Sequence, residues 1–289
     1  MPKPMTDASD VAVVVTTYNR PAALSWVLAS LASQTCMPGQ IVIADDGSGP
    51  QTKALIEQWQ AYFLAHHPRT QLSHAWQEDL GFRAAAVRNL AVAQVRQLGN
   101  VRVLIFIDGD CVAPTFFVQN HLALLTSGHM VAGGRGLLSQ LYTEQLERLA
   151  ERQSPPDLRH SLCVFQSPYR LWLGKACDRY LSMLPWLKPV FNALRDVRPS
   201  DDQLVRTCNL SLWLKDFDNV GGFDESFMGW GLEDTDLAVR VIAAGTRVRS
   251  GRFATNVFHL WHSELSRAEL QKNAERLANT RRHPLGLTR

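Results

Sequence analysis

Two pairs of carboxylates have a spacing that could do chemistry: Asp108-Gly109-Asp110 and Glu233-Asp234. Two aspartates flanking a glycine after an apolar run can face a divalent cation and a charged ligand together. Hard oxygen donors of this kind suit Mg²⁺ or Mn²⁺. Taken alone, the triplet also reads as an ordinary turn. Adjacent carboxylates at a helix start project in different directions, so one can bind a hydroxyl while the other takes its proton. The helix N-terminus steadies their charge, and capping that helix is the other duty open to them. Nearer the start of the chain, Tyr18 offers a ring face on which a base can stack. Asp46 offers an acceptor for an amide or imide N–H.

These groups need elements to position them. Residues 11–16 and 101–107 are continuous apolar runs of the kind that form buried parallel strands, and 40–44 and 71–76 read as two more. Between them, 21–34, 51–66 and 84–98 have helical spacing, with Pro21 suited to a first turn. The alternation implies an α/β fold, with a mainly parallel sheet covered by helices on both faces. Ligands bind such sheets beyond the carboxyl ends of the strands, where Thr16 to Asn19, Asp45 to Ser48 and Asp108 to Asp110 all fall. A dinucleotide fingerprint would need Gly-x-Gly-x-x-Gly after the first strand. The chain has Thr16-Thr17-Tyr18-Asn19-Arg20-Pro21 there, which disfavours a nicotinamide cofactor.

The regular pattern divides the chain into a ligand-binding half at 1–138, a helical insertion at 139–200 and a C-terminal half at 201–289. Residues 169–191 of the insertion combine leucines with Trp172, Trp186, Lys175 and Lys188, which suits either packing on the core or resting on a membrane surface. In the last part, helical spacing ends at Gly245, a glycine placed to close a helix, and a charged helix is expected over 264–280.

Composition narrows the classes further. With 46% hydrophobic and 20% charged residues the chain is neither disordered, collagen-like nor coiled coil. A net charge of +3, without basic runs interleaved with aromatics, argues against a nucleic-acid partner. The five scattered cysteines never form Cys-x-x-Cys, so reduced thiols and a cytoplasmic setting are expected. Residues 1–10 lack an apolar leader, and no run of about 18 apolar residues predicts a membrane span.

The Thr-x-Tyr-Asn-Arg-Pro start, the Asp-Asp-Gly-Ser turn and Asp-Gly-Asp together resemble the nucleotide-sugar half of family-2 glycosyltransferases, over roughly residues 11–135. Glu78-Asp79-Leu80-Gly81-Phe82-Arg83 and Ala86-Val87-Arg88-Asn89 are similar to chondroitin-polymerase-like and galactosyltransferase-like enzymes. Gly229-Trp230-Gly231-Leu232-Glu233-Asp234 resembles the Trp-Gly-x-Glu-Asp signature of inverting galactosyl- and N-acetylgalactosaminyltransferases. The resemblance implies a GT-A (Rossmann-like) fold, a helical insertion and a C-terminal acceptor-binding region. It implies a UDP-sugar donor, Mn²⁺ (or Mg²⁺), and a glycan or lipid-linked glycan acceptor in bacterial surface polysaccharide or lipopolysaccharide synthesis, with peripheral contact at the inner membrane face. In that reading Thr16, Tyr18, Arg20 and Asp46 serve the donor, with Asp108 on the ribose or sugar. Arg83 or Arg88 meets the diphosphate or supports the aspartates, and Trp230 is an apolar platform for a sugar ring. Asp234 is the base and Glu233 orients the acceptor. Asp110 holds the metal with a histidine beyond the signature, His259 preferred to His262. Asp224 and Asp236 are left as solvated or hydrogen-bonding groups. Two other readings stay open: a nucleotide-sugar-binding module that no longer catalyses transfer, and a phosphatase-like site phosphorylated on Asp108. The latter normally begins its fold with the Asp-x-Asp strand, whereas three strands precede it here.

Overall fold

The computed structural model describes residues 7–165, 176–178, 191–263 and 266–286. Most of the Trp/Lys-rich stretch at 169–191 lies outside the described residues.

The apolar runs become the centre of a sheet. β1 (Asp7–Thr17) lies between β2 (Met37–Asp45) and β4 (Val103–Asp108), parallel to both, and β2 pairs in parallel with β3 (Gln71–Trp76). Side chains alternate across a strand. Val11, Val13 and Val15 therefore join one core with Ile41, Ile43, Trp26 and Trp59, while Ala12 and Val14 join the other with Val42, Phe106 and Val92. The covering helices are α1 (Pro21–Leu31) and α2 (Pro50–His66) on the first face and α3 (Ala84–Leu98) on the second. α1 stops at Leu31, three residues short of the expected end.

Register delivers the site. Thr16 pairs with Asp108 and Thr17 with Asp45, so three polar strand ends meet at one rim. The C-terminal half completes the same sheet. β8 (Asn209–Trp213) runs antiparallel to both β4 and β6 (His129–Ala132), and β9 (Arg247–Ser250) lies parallel to β6 at the edge. A small second sheet joins β5 (Cys111–Val112), β10 (Val257–His259) and β7 (Arg135–Leu137). In it, His259 pairs with Cys111, one residue past Asp110.

Among the described residues the remaining α-helices are α4 (Phe117–Leu124), α5 (Gln140–Ala150), α6 (Pro155–Ser161), α7 (Leu214–Asn219), α8 (Glu233–Ala243) and α9 (Leu270–Arg282). α8 closes with a Schellman motif. Gly245, at φ +101°, donates to Ile242, and Thr246 donates to Val241. α9 starts later than the sequence suggests, because residues 266–269 precede it as loop and turn. Among the described residues no helix is long and apolar enough to cross a membrane.

Candidate active site

Arg88 sits at the centre of the rim, only 4% exposed. Its Nε donates to Thr16 Oγ1 at 3.0 Å, Nη1 to Glu233 Oε1 at 3.0 Å and Nη2 to Asp108 Oδ1 at 3.3 Å. One guanidinium therefore ties the ends of β1 and β4 to the first turn of α8. These contacts are with the carboxylates, one of the two sets of partners expected for it. Arg83, five residues earlier, makes different contacts. Its backbone N–H donates to Asp46 Oδ2 at 2.7 Å, and its Nη2 donates to the Glu78 carbonyl at 2.5 Å.

The Asp45–Asp46 pair is divided by the strand's pleat. Asp45 is fully buried, accepting from the Ser48 N–H at 2.8 Å and lying 2.9 Å from His74 Nε2. It shapes the turn. Asp46 also accepts from Gln77 Nε2 at 2.5 Å, and burial raises its carboxyl above the usual range. Gly47, at φ +95°, lets this turn touch Asp79; a Cβ there would lie 2.5 Å from the Asp79 backbone. Tyr18 is 45% exposed, and its hydroxyl donates to Asp79 Oδ2 at 2.8 Å, a bond that raises the phenol's pKa. Its ring remains open to a ligand.

The Trp230 to Asp234 segment is built on a strained loop. Gly229 (φ +71°), Gly231 (φ +101°) and Leu232 (φ +78°) all take positive φ directly before α8. A non-glycine residue held there costs free energy and must be held by its surroundings. Asn273 of α9, fully buried, does so by donating to the carbonyls of Met228 at 2.9 Å and Gly231 at 3.0 Å. Sequence reasoning missed it. The available signal was a polar residue on the same stripe as Leu277 and Thr280, the buried face of a charged helix. From this loop Trp230 stands 40% exposed with the Arg267 guanidinium 5.4 Å from its ring. Asp234 accepts from the Thr235 N–H at 2.7 Å; burial and the adjacent Glu233 carboxylate push its pKa up to about 6. Asp108 is also raised to about 6, by burial first, with Arg88 pulling the other way.

Asp236, two residues further along the same first turn of α8, is fully buried in an ion pair with Arg240 at 2.6 Å and accepts from Thr280 Oγ1 at 2.6 Å. Asp224 accepts from the Ser226 N–H at 2.9 Å.

Asp110, His259 and His262 form the third part, with one ligand atom from each inside 4.8 Å of the others. His259 Nε2 is 3.6 Å from Asp110 Oδ1, and His262 Nε2 is 3.6 Å from Oδ2. The structure thus brings both histidines, not one, to the aspartate. His262 Nδ1 lies 2.8 Å from the Ser263 carbonyl, which can only accept, so the proton sits on Nδ1 and Nε2 carries the free lone pair. Burial lowers the pKa of His259, favouring the neutral ring that a metal requires. One carboxylate and two neutral imidazoles fit a divalent transition ion such as Mn²⁺. Arg20, grouped with the donor by sequence, reaches this side instead, its Nη1 2.8 Å from Asp110 Oδ2. Arg135, which the sequence did not single out, is exposed on β7 and adds positive potential at Asp108 and His259.

A mainly parallel sheet with carboxylate clusters at its carboxyl rim, a buried arginine joining them and a metal-compatible triad alongside define a GT-A glycosyltransferase fold. The family model for glycosyl transferase family 2 matches residues 12–178, and the chain belongs to that family. A second model, the N-terminal domain of galactosyltransferase, matches residues 195–263. The chain is 30% identical over 287 residues to a validoxylamine A glucosyltransferase of Streptomyces hygroscopicus subsp. limoneus, covering 95% of this chain and 57% of that protein. It is 25% identical over 252 residues to a hyaluronan synthase of Pasteurella multocida, covering 84% of this chain and 24% of the relative. The chain therefore spans little more than half the length of the first of these relatives. A solved structure of GalNAc-T7 with UDP, GalNAc and Mn²⁺ shares the fold at TM-score 0.60 and 16% identity, covering 93% of this chain and 47% of that one.

Proposed function

We propose that this chain is an inverting, metal-dependent glycosyltransferase that moves a hexose-type sugar from UDP to a hydroxyl of a glycan. The observation that carries the reading is the Arg88 bridge, which fastens the donor-side Asp108 to the acceptor-side Glu233 across one rim. Tyr18 and Asp46 hold the base with Thr16 alongside, and Asp108 meets the ribose or the sugar. Asp110, His259 and His262 would hold Mn²⁺ or Mg²⁺, which supplies neutralising charge at the diphosphate when bound. Glu233 orients the acceptor, and Trp230 lies under its ring. Asp234 takes the proton as the acceptor oxygen bonds to the anomeric carbon. The bond to the diphosphate breaks on the opposite face, and UDP departs with the electron pair, inverting the centre. Residues 1–138 act as the donor half and 201–289 as the acceptor half.

The match of residues 195–263 to a galactosyltransferase domain supports galactose or N-acetylgalactosamine as the sugar. The glucosyltransferase relative supports glucose as the second reading. A cytoplasmic enzyme touching the inner membrane face, acting on a lipid-linked glycan in bacterial surface polysaccharide or lipopolysaccharide synthesis, fits the Trp/Lys-rich composition of residues 169–191. Mn²⁺-dependent hydrolysis across a panel of UDP-sugars tests the activity and identifies the sugar. Hydrolysis of none, with and without glycan acceptors, would sink it. The anomeric configuration of the product, read by NMR, separates inversion from retention.

A further inference from the structure

α5 belongs to the stretch the sequence sets apart as an insertion, yet it sends two side chains to the metal end of the site. Thr143 Oγ1 accepts from the Trp261 N–H at 2.8 Å. Glu147 Oε1 pairs with Arg20 Nη2 at 2.7 Å, and the same Nη2 donates to the Trp261 carbonyl at 3.1 Å. Arg20 Nη1 meanwhile holds Asp110 Oδ2 at 2.8 Å. A single planar fork thus joins one candidate metal ligand to the backbone one residue before another, His262. Trp261 is gripped at both its N–H and its carbonyl.

We propose that Arg20 and Glu147 are a positioning pair that orients Asp110 and the His262 loop for the metal; this rests on the metal-dependent reading above. The geometry states how. Arg20 occupies Oδ2 and leaves Oδ1 of Asp110 turned toward His259. An unpaired guanidinium beside a metal ligand would repel a cation. Glu147 cancels that charge, so the Asp110 carboxylate keeps its net attraction. The three side chains are 13–29% exposed, which limits screening by water. Lysine could not replace Arg20, because a point-like ammonium lacks the flat fork that reaches three acceptors at once.

The test is Mn²⁺ affinity of the purified chain without nucleotide, by calorimetry and by the EPR signal of bound Mn²⁺. Loss of an outer-sphere partner weakens metal binding by about 10–100-fold. Glu147→Gln and Arg20→Lys are each expected to fall in that range while remaining folded by circular dichroism. Wild-type affinity in both variants, with only a lower Tm, would reduce the pair to a structural tie between α5 and the rim. Tighter Mn²⁺ binding in either variant would make Arg20 a competitor of the cation and overturn the proposal. Asp110→Asn separates the two levels of inference. If it binds Mn²⁺ as well as wild type, the metal-dependent reading falls and the positioning role with it. If it loses the ion while Glu147→Gln and Arg20→Lys do not, only the positioning role falls.

Discussion

Two guanidiniums grip α8 at different heights, and they are matched differently. At the lower level Arg240 directs Nε and Nη2 to one carboxylate oxygen of Asp236 at 2.9 and 2.6 Å, and Nη1 to the carbonyls of Val220 and Gly222. The Thr280 hydroxyl occupies the other Asp236 oxygen. One cation faces one anion, and their hydrogen bonds are supplied. At the upper level Arg88 is shared between Asp108 and Glu233, with Asp234 next in the chain. Three carboxylates crowd around Arg88, with Arg135 and Arg206 adding positive potential from further off. The lower centre fixes position; at the upper one burial first, and neighbouring carboxylates after it, lift Asp108 and Asp234 to about 6, inside the range useful to a base near neutral pH. The same helical turn thus sets a fixed carboxylate two residues from one whose pKa is raised.

The comparison breaks most sharply if Asp234 is not the reactive member. Asp234→Asn is expected to lower turnover by about 10²–10⁴-fold with little change in UDP affinity by calorimetry. An equal loss of UDP binding would move Asp234 to the donor side. Asp236→Asn should do the reverse. Breaking a buried pair costs about 3–5 kcal/mol, so a large drop in the urea midpoint is expected, with turnover per folded molecule nearly kept. Asn273→Ala is a smaller change. It strips two loop carbonyls of their donor, and about 1–3 kcal/mol of stability should go with a several-fold rise in acceptor KM and unchanged UDP binding. Unchanged acceptor KM would show that the strained loop holds its shape without α9.

Much of this was legible in the chain, and the missing parts have a common cause. The strand–helix alternation and the polar strand ends follow from local pattern, and register alone brings Thr16 beside Asp108. The small sheet was not legible because β5 is only two residues long, too short to show a period, and nothing local pairs it with β10 and β7. It is that sheet, pairing His259 with Cys111, that carries a histidine to Asp110. Arg83 and Arg88 looked alike as sequence; Arg83 stands just before α3 and Arg88 within it, so they point to different neighbours, and only packing against α8 says which is buried. Glu147 meets Arg20 across 127 residues, and Asn273 meets Met228 across 45, separations at which no spacing rule operates. Asp236 stood within the same acidic cluster as Glu233 and Asp234. Its structural duty depends on Arg240 and Thr280, the latter on another helix.

The smallest expected effect tests the origin of that crowding. Asp234 in the folded chain titrates at about 6, above the ordinary carboxylate value of 3.8. Between those two pH values the native state holds a proton that the unfolded chain has released, so stability falls as pH rises through the window and stays reduced above it. Asparagine carries no titrating charge. Wild type should therefore lose stability relative to Asp234→Asn from about pH 4 to 6, the gap between them changing by roughly 1–2 kcal/mol across that window after allowance for solvent screening. Urea midpoints measured from pH 4 to 8 give the curve directly. The catalytic limb runs the other way, with turnover rising to a plateau above about pH 6 as the base becomes ionised. If the stability gap between the two proteins stays flat with pH, the carboxylate is not held in a buried, crowded site, and the contrast between Asp234 and Asp236 is one of position alone.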